Sequence, residues 1–277
     1  MGFGGNYRVR ERGQFDPASK EPYRISRSKI DLFLECPRCF YLDQRLGIGR
    51  PDMPAFSLNN AVDTLLKKEF DVYRVKGNLH PLLKSYGLSA VPLKHKDLEK
   101  WREARRAGIE YLHKGTNLSV RGGIDDIWEG KDGKLIIVDY KATSKKSELT
   151  LYDSYKRQVE VYQWLFRKND FPVSDTAYFV YVNASTDAEA FDAKLEFKVE
   201  LIPYTGDTSW IEPALHNIKK CLLSEEIPPK GECDYCPYRE AAGKALLARN
   251  EGSKKKTGRS TRARKKDDSY EKTPSLF

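Results

Sequence analysis

No stretch of apolar residues in this 277-residue chain is longer than the six from Ala177 to Val182, whereas a membrane-spanning helix needs roughly 20. That shortage excludes a transmembrane helix. The first ten residues carry glycines and two arginines and lack the apolar core of a secretory signal, so the expected compartment is the cytoplasm. Cysteine is scarce as well: there are five, an odd number, and four of them form two C-x-x-C pairs, Cys36 with Cys39 and Cys233 with Cys236. Pairs so far apart do not read as the framework of a secreted disulfide protein. What is present suits a folded chain. With 39% hydrophobic, 12% aromatic and 32% charged residues, there is material for one large or two small domains, and a wholly disordered protein is excluded.

The net charge of +9 is unevenly spread, since Ser253–Phe277 holds nine Lys or Arg against three acids and leaves the remainder nearly balanced. A basic tail on a balanced body suits attraction to a polyanion such as nucleic acid, and equally suits a solvated tail that aids solubility.

Residues 1–24, rich in Gly, Arg, Pro and Ser, read as an extended N-terminal arm. Order is expected from Ile25, with Ser26 capping a helix that ends near Glu35 before Pro37, and Ile25 and Ile30 forming a hydrophobic staple. Apolar spacing predicts further helices over Leu58–Arg74, Lys96–His113, Leu151–Lys168 and Trp210–Leu223. Strands are expected over Val120–Trp128, Leu135–Lys141, Thr176–Asn183 and Ala193–Tyr204. Leu135, Ile136, Ile137 and Val138 are apolar in succession, which marks a central strand covered on both faces. These elements make residues 25–250 an α/β domain, a central mixed sheet flanked by helices. After Asn250 the Lys, Arg, Ser and Gly cannot bury enough apolar surface to offset ordering, so residues 251–277 are expected to form a basic disordered tail.

Asp139 and Lys141 lie two apart on a strand and so leave the same face, at the polar end of a buried segment. Taken alone they fit an ordinary strand-end salt bridge. The preceding strand alters that, because Gly122-Gly123-Ile124-Asp125-Asp126 brings acids to Asp139 across a hairpin. If the turn is Lys131, Asp132 and Gly133, with Gly133 left-handed, paired positions sum to 264 and Asp125 stands opposite Asp139. If the turn is Asp132-Gly133 alone, Asp126 takes that place. Either register sets two carboxylates about 5 Å apart, where repulsion protonates one unless a cation compensates. Two acids and a lysine make a hard-cation site for Mg²⁺ or Mn²⁺, able to hold a phosphate and activate water.

Together these residues resemble the PD-(D/E)XK nuclease superfamily, in its RecB-like and CRISPR-associated exonuclease-like branch. Gly122-x-Ile124-Asp125 is similar to the second motif, Asp139-Tyr140-Lys141 to the D-x-K motif, and Gln158-x-x-x-Tyr162 to the Q-x-x-x-Y helix of that branch. The resemblance selects Asp125 over Asp126 and implies a restriction-endonuclease-like fold, with catalysis by Asp125, Asp139 and Lys141 and DNA positioned by Gln158 and Tyr162. Where the branch has a first-motif histidine, this chain has Asp63, which would join Asp125 and Asp139 as a ligand for Mg²⁺ or Mn²⁺. Glu69 and His80 are nearby alternatives.

Members of the branch carry an iron-sulfur cluster on cysteines that bracket the nuclease core. Cys36, Cys39, Cys233 and Cys236 supply four thiolates here, in a two-and-two division instead of one early and three late, which leaves Zn²⁺ as the alternative to a [4Fe-4S] cluster. Such a four-cysteine metal site would close the fold. Cys221 reads as a buried bystander. The last residues, Thr273–Phe277, resemble sliding-clamp-binding peptides, with Thr273 in place of the leading glutamine.

The expected protein is therefore a metal-dependent DNA nuclease, an exonuclease of repair, recombination or defence, acting on DNA that is single-stranded or has single-stranded ends. The rivals are a nucleic-acid-binding module on the same fold that no longer cleaves, to which the altered first motif points, and a zinc-stapled protein scaffold.

Overall fold

In the computed structural model the described residues are 9–51, 57–104, 106–146 and 149–257, with side chains to Arg249. Tyr23–Ser26 is strand β1, and helix α1 (Arg27–Glu35) follows with Ile25 and Ile30 both fully buried. The staple is present, but Ser26 turns its hydroxyl to Ser28 at 2.9 Å instead of to a helix N–H. Cys36 ends α1 and caps α2 (Pro37–Leu46), which has its proline in the first turn, where no N–H is required. The extended-arm reading needs correcting at its end. Tyr23 and Arg24 already belong to β1, and Phe15, buried within the core, lies edge-on to Tyr23 at 5.2 Å.

Then come α3 (Ser57–Lys76), the short α4 (Pro81–Ser85) and β2 (Ala90–Pro92). The helix expected over Lys96–His113 is not formed as such: α5 covers only Leu98–Arg102, and Ile109–His113 is strand β3. Gly108 separates them with a φ of +86°, a left-handed conformation that ends a helix. The single strand expected over Val120–Trp128 is two, β4 (Leu118–Gly122) and β5 (Asp126–Gly130), in different sheets. Gly122 and Gly123 make the break. A Cβ on Gly122 would lie 2.5 Å from the Tyr162 ring, and one on Gly123 2.6 Å from Ala104, so only glycines let the chain pass.

The remaining elements are β6 (Leu135–Thr143), α6 (Asp153–Lys168), β7 (Thr176–Ala184), β8 (Phe197–Thr205), α7 (Ile211–Leu223) and α8 (Tyr235–Thr257). β1, β4 and β3 form one sheet, in that order, and the other runs β2-β5-β6-β7-β8. β6 is the middle strand of the larger sheet, antiparallel to β5 and parallel to β7, and its first six residues are all buried. Helices cover both faces. Leu66 and Phe70 of α3 pack on Trp128, Ile136, Val138 and Tyr140, while α6 brings Val159, Leu165 and Phe166 into the cluster that holds Ile127, Ile137 and Phe179. The architecture is thus a mixed α/β fold with a helix-flanked mixed sheet.

The chain divides into two units, Met1–Glu232 and Cys233–Phe277. In the second, α8 continues through Thr257, seven residues beyond the boundary at which disorder was expected. The clamp-like peptide at Thr273–Phe277 lies outside the described residues. Among the described residues no helix is long and apolar enough to cross a membrane.

Candidate active site

The β5–β6 turn fixes the site. Gly133 has a φ of +73°, Gly130 N–H donates to Lys134 O at 3.0 Å, and Asp126 pairs with Val138, Ile127 with Ile137 and Trp128 with Ile136. This is the three-residue turn and its register, in which paired positions sum to 264. The ladder stops at Asp126–Val138, and Asp125, just beyond it, uses Oδ2 to accept the Tyr140 N–H at 3.1 Å. The register thereby sets the Asp125 carboxylate beside Asp139, close enough for its charge to act on that carboxyl.

Asp139 has no exposed surface. Its Oδ2 is ion-paired to the Lys141 ammonium, but among the described residues no hydrogen bond of good geometry reaches either oxygen. Burial, and then the charge on Asp125, pushes this carboxyl up to about 7 against the restraining Lys141 ammonium. Lys141 also sits over the Tyr155 ring, 4.7 Å from its centre. On α3, Asp63 and Lys67 are one turn apart, and the Lys67 ammonium reaches Asp63 at 2.9 Å and Asp125 at 3.4 Å. Burial alone would lower Lys67, yet the two carboxylates outweigh it and raise the ammonium above the usual lysine value. Asn59, Asp63, Asp125, Tyr140, Lys141 and Tyr155 line a cleft of about 340 Å³ over these groups.

Asp126 does something else. It is completely buried, and its Oδ1 receives the Arg74 guanidinium, Arg102 at 3.1 Å and the Ile127 N–H at 2.9 Å. Oδ2 accepts the Tyr140 hydroxyl at 2.7 Å. Asp71 bridges both arginines at 3.0–3.1 Å. Both oxygens of Asp126 thus accept from protein donors, four in all, and it is a structural acid.

Tyr162 is buried under Gly122, and burial first raises its phenol to about 12. The charges on Asp125 and Asp139 add to that rise and Arg27 opposes it. Gln158 donates to its hydroxyl at 3.3 Å. Neither lines the cleft, so the pair stands behind the acids. Glu69 and His80, the alternatives to Asp63, bond each other at 3.0 Å, and His80 stacks on Phe70 at 4.1 Å, away from the cleft lining. Sequence reasoning missed Lys67, though its i,i+4 spacing from Asp63 was a usable signal. It also missed Arg74 and Arg102, for which no local signal exists.

The thiols of Cys36, Cys39, Cys233 and Cys236 lie within 4.8 Å of one another. The Cys39 and Gly231 N–H groups point at the Cys36 sulfur at 3.5 and 3.3 Å, Arg239 meets Cys236 at 3.2 Å, and Arg50 bonds Cys39. Donors of this kind favour thiolates, and four thiolates can hold a metal ion or a cluster. Cys221, on α7, is only partly buried, and desolvation pushes its thiol up to about 11.

The model of the PD-(D/E)XK nuclease superfamily matches residues 57–241, and the chain belongs to that family, whose members are typically metal-dependent phosphodiesterases acting on nucleic acid. No curated protein matches the chain. Among solved structures it is similar to one titled "Crystal structure of SSO0001", at 16% identity and a TM-score of 0.40, covering 76% of this chain and 81% of that one.

Proposed function

We propose that the protein is a Mg²⁺- or Mn²⁺-dependent deoxyribonuclease, an exonuclease that trims DNA in repair, recombination or defence. The observation that carries this reading is Asp139: among the described residues it is a buried carboxylate with no hydrogen bond, facing Asp125 with only Lys141 to compensate. Left so, the pair costs stability; hard oxygen donors in this arrangement fit a divalent cation, with Asp63 at the rim. Such an ion supplies positive charge for the phosphate and lowers the pKa of a bound water.

The chain's own residues do the rest. Lys141, steered by Asp139 and the Tyr155 ring, presents an ammonium to the attacking water or to charge developing on the phosphate. Tyr140 N–H and Lys67 fix the Asp125 rotamer, and Gln158 and the buried Tyr162 position the strand indirectly, by supporting the acids from behind. At the four-cysteine site the family resemblance favours a [4Fe-4S] cluster, while the close spacing of the thiols suits one tetrahedral ion such as Zn²⁺. Iron, labile sulfide and zinc analysis of anaerobically purified protein separates the two.

The test uses end-labelled single- and double-stranded DNA with Mg²⁺ or Mn²⁺, comparing wild type with Lys141→Ala and Asp139→Asn. Cleavage by the wild type alone is expected, and its product ladder gives the polarity. A folded wild type that binds DNA and cuts none of these substrates sinks the enzyme in favour of the binding module.

A further inference from the structure

Beside and beneath the cleft the charged groups follow one another as Asp63, Lys67, Asp125, Asp139 and Lys141, of which Asp63, Asp125 and Lys141 line it. Two gaps separate its three carboxylates, and they differ. Between Asp63 and Asp125 stands the Lys67 ammonium, 2.9 Å from one and 3.4 Å from the other. Between Asp125 and Asp139 no ammonium of the described residues intervenes, because Lys141 meets Asp139 on its own. A divalent cation placed in the second gap meets two carboxylates and relieves their repulsion. One placed in the first would have to expel an ammonium that already neutralises both acids.

We infer that Lys67 is a built-in cation in the position a second divalent ion would take, so that the cleft accepts one Mg²⁺ or Mn²⁺, between Asp125 and Asp139. The inference rests on the metal-dependent nuclease reading and deepens it. Charge balance agrees: three carboxylates against two ammoniums leave one negative charge, which a single divalent ion more than cancels, while two ions would leave the cleft strongly positive. Lys67 is also shielded, with a quarter of its side chain exposed, and comes from the same helix as Asp63. A surface i,i+4 pair would have no reason to reach across to Asp125. Lys67 is a positioning residue. It holds Asp125 turned toward Asp139 and limits the number of ions, and in Lys67→Met the freed Asp63 and Asp125 would together make a second oxygen site.

The test counts ions. Full-length wild type, Lys67→Met, Lys67→Gln and Lys67→Arg are titrated with Mn²⁺, free Mn²⁺ is read by electron paramagnetic resonance, and binding to Asp139→Asn is subtracted as background. The expected result is one ion for wild type and Lys67→Arg, and a second ion in the two neutral variants, bound at least roughly tenfold more tightly than any second ion in wild type. Two ions of similar affinity in wild type, or a single ion in folded Lys67→Met and Lys67→Gln, overturns this inference and leaves the nuclease reading standing. A wild type indistinguishable from Asp139→Asn overturns both.

Discussion

Asp125 and Asp126 follow one another in the chain, and the protein surrounds them in opposite ways. Asp126 is sealed among Arg74, Arg102, the Tyr140 hydroxyl and its neighbour's N–H, which donate to both of its oxygens. Asp125 opens on a cleft beside Asp139, whose oxygens receive no hydrogen bond among the described residues. Both are acids at the start of one strand beside another buried polar group, so neither burial nor charge alone marks the site. The mark is incomplete compensation: Asp126 is surrounded by protein donors, whereas Asp125 has only the Tyr140 N–H and Lys67 and, among the described residues, Asp139 has only its ion pair with Lys141, leaving room for a ligand.

The strongest way to break this comparison is to remove each acid in turn. Asp126→Ala takes the buried partner from two buried guanidiniums, leaving them the more exposed Asp71, and is expected to cost about 3–5 kcal/mol in urea denaturation. Asp125→Ala, whose partners are partly exposed, is expected to change stability by about 1 kcal/mol or less while lowering metal-dependent cleavage by roughly 10³-fold or more. Equal phenotypes would erase the distinction.

A second prediction concerns pH. Because the Asp139 carboxyl is raised to about 7 from an ordinary 3.8, the folded state binds more protons than the unfolded one between those values, and stability falls as pH rises across that window. Asp139→Asn lacks this loss. Without added divalent ion the variant is expected to be more stable than wild type at pH 8 by up to a few kcal/mol, with the difference closing toward pH 4. Thermal melts across that range check it. A wild type whose stability rises from pH 4 to 7 relative to Asp139→Asn would contradict the placement of that carboxylate.

Smaller effects sharpen the picture of how the acids are backed. Gly122→Ala pushes a methyl against the Tyr162 ring and is expected to cost about 1–3 kcal/mol, with part regained in a double variant carrying Tyr162→Leu. Smallest of all, Gln158→Ala removes one hydrogen bond to Tyr162, an expected loss of about 0.5–1.5 kcal/mol. If chemical denaturation shows no coupling between positions 122 and 162, the ring is not what forbids a side chain there.

Short windows of sequence carried part of the fold. The unbroken apolar run Leu135–Val138 required a central strand, and β6 is central. Lys131-Asp132-Gly133 offered two turns and so two registers, and the structure takes the three-residue turn with Gly133 left-handed, which puts Asp125 beside Asp139. The order of Asp125, Asp139 and Lys141 was enough to point to the family. Windows also misled where a residue's partner was remote. Trp101, Ile109 and Leu112 share a helical spacing, but Gly108 breaks it and Ile109–His113 pairs with β4; Val120–Trp128 reads as one strand, yet tight packing against Tyr162 and Ala104 divides it between two sheets. Only the tertiary structure decided which acid meets which cation. Arg74 and Arg102 reach Asp126 from α3 and α5, and Lys67 reaches Asp125 across 58 positions of sequence. Periodicity and turn chemistry are local properties of the backbone, whereas charge compensation depends on how helices dock on the sheet, and that information is not contained in any one segment.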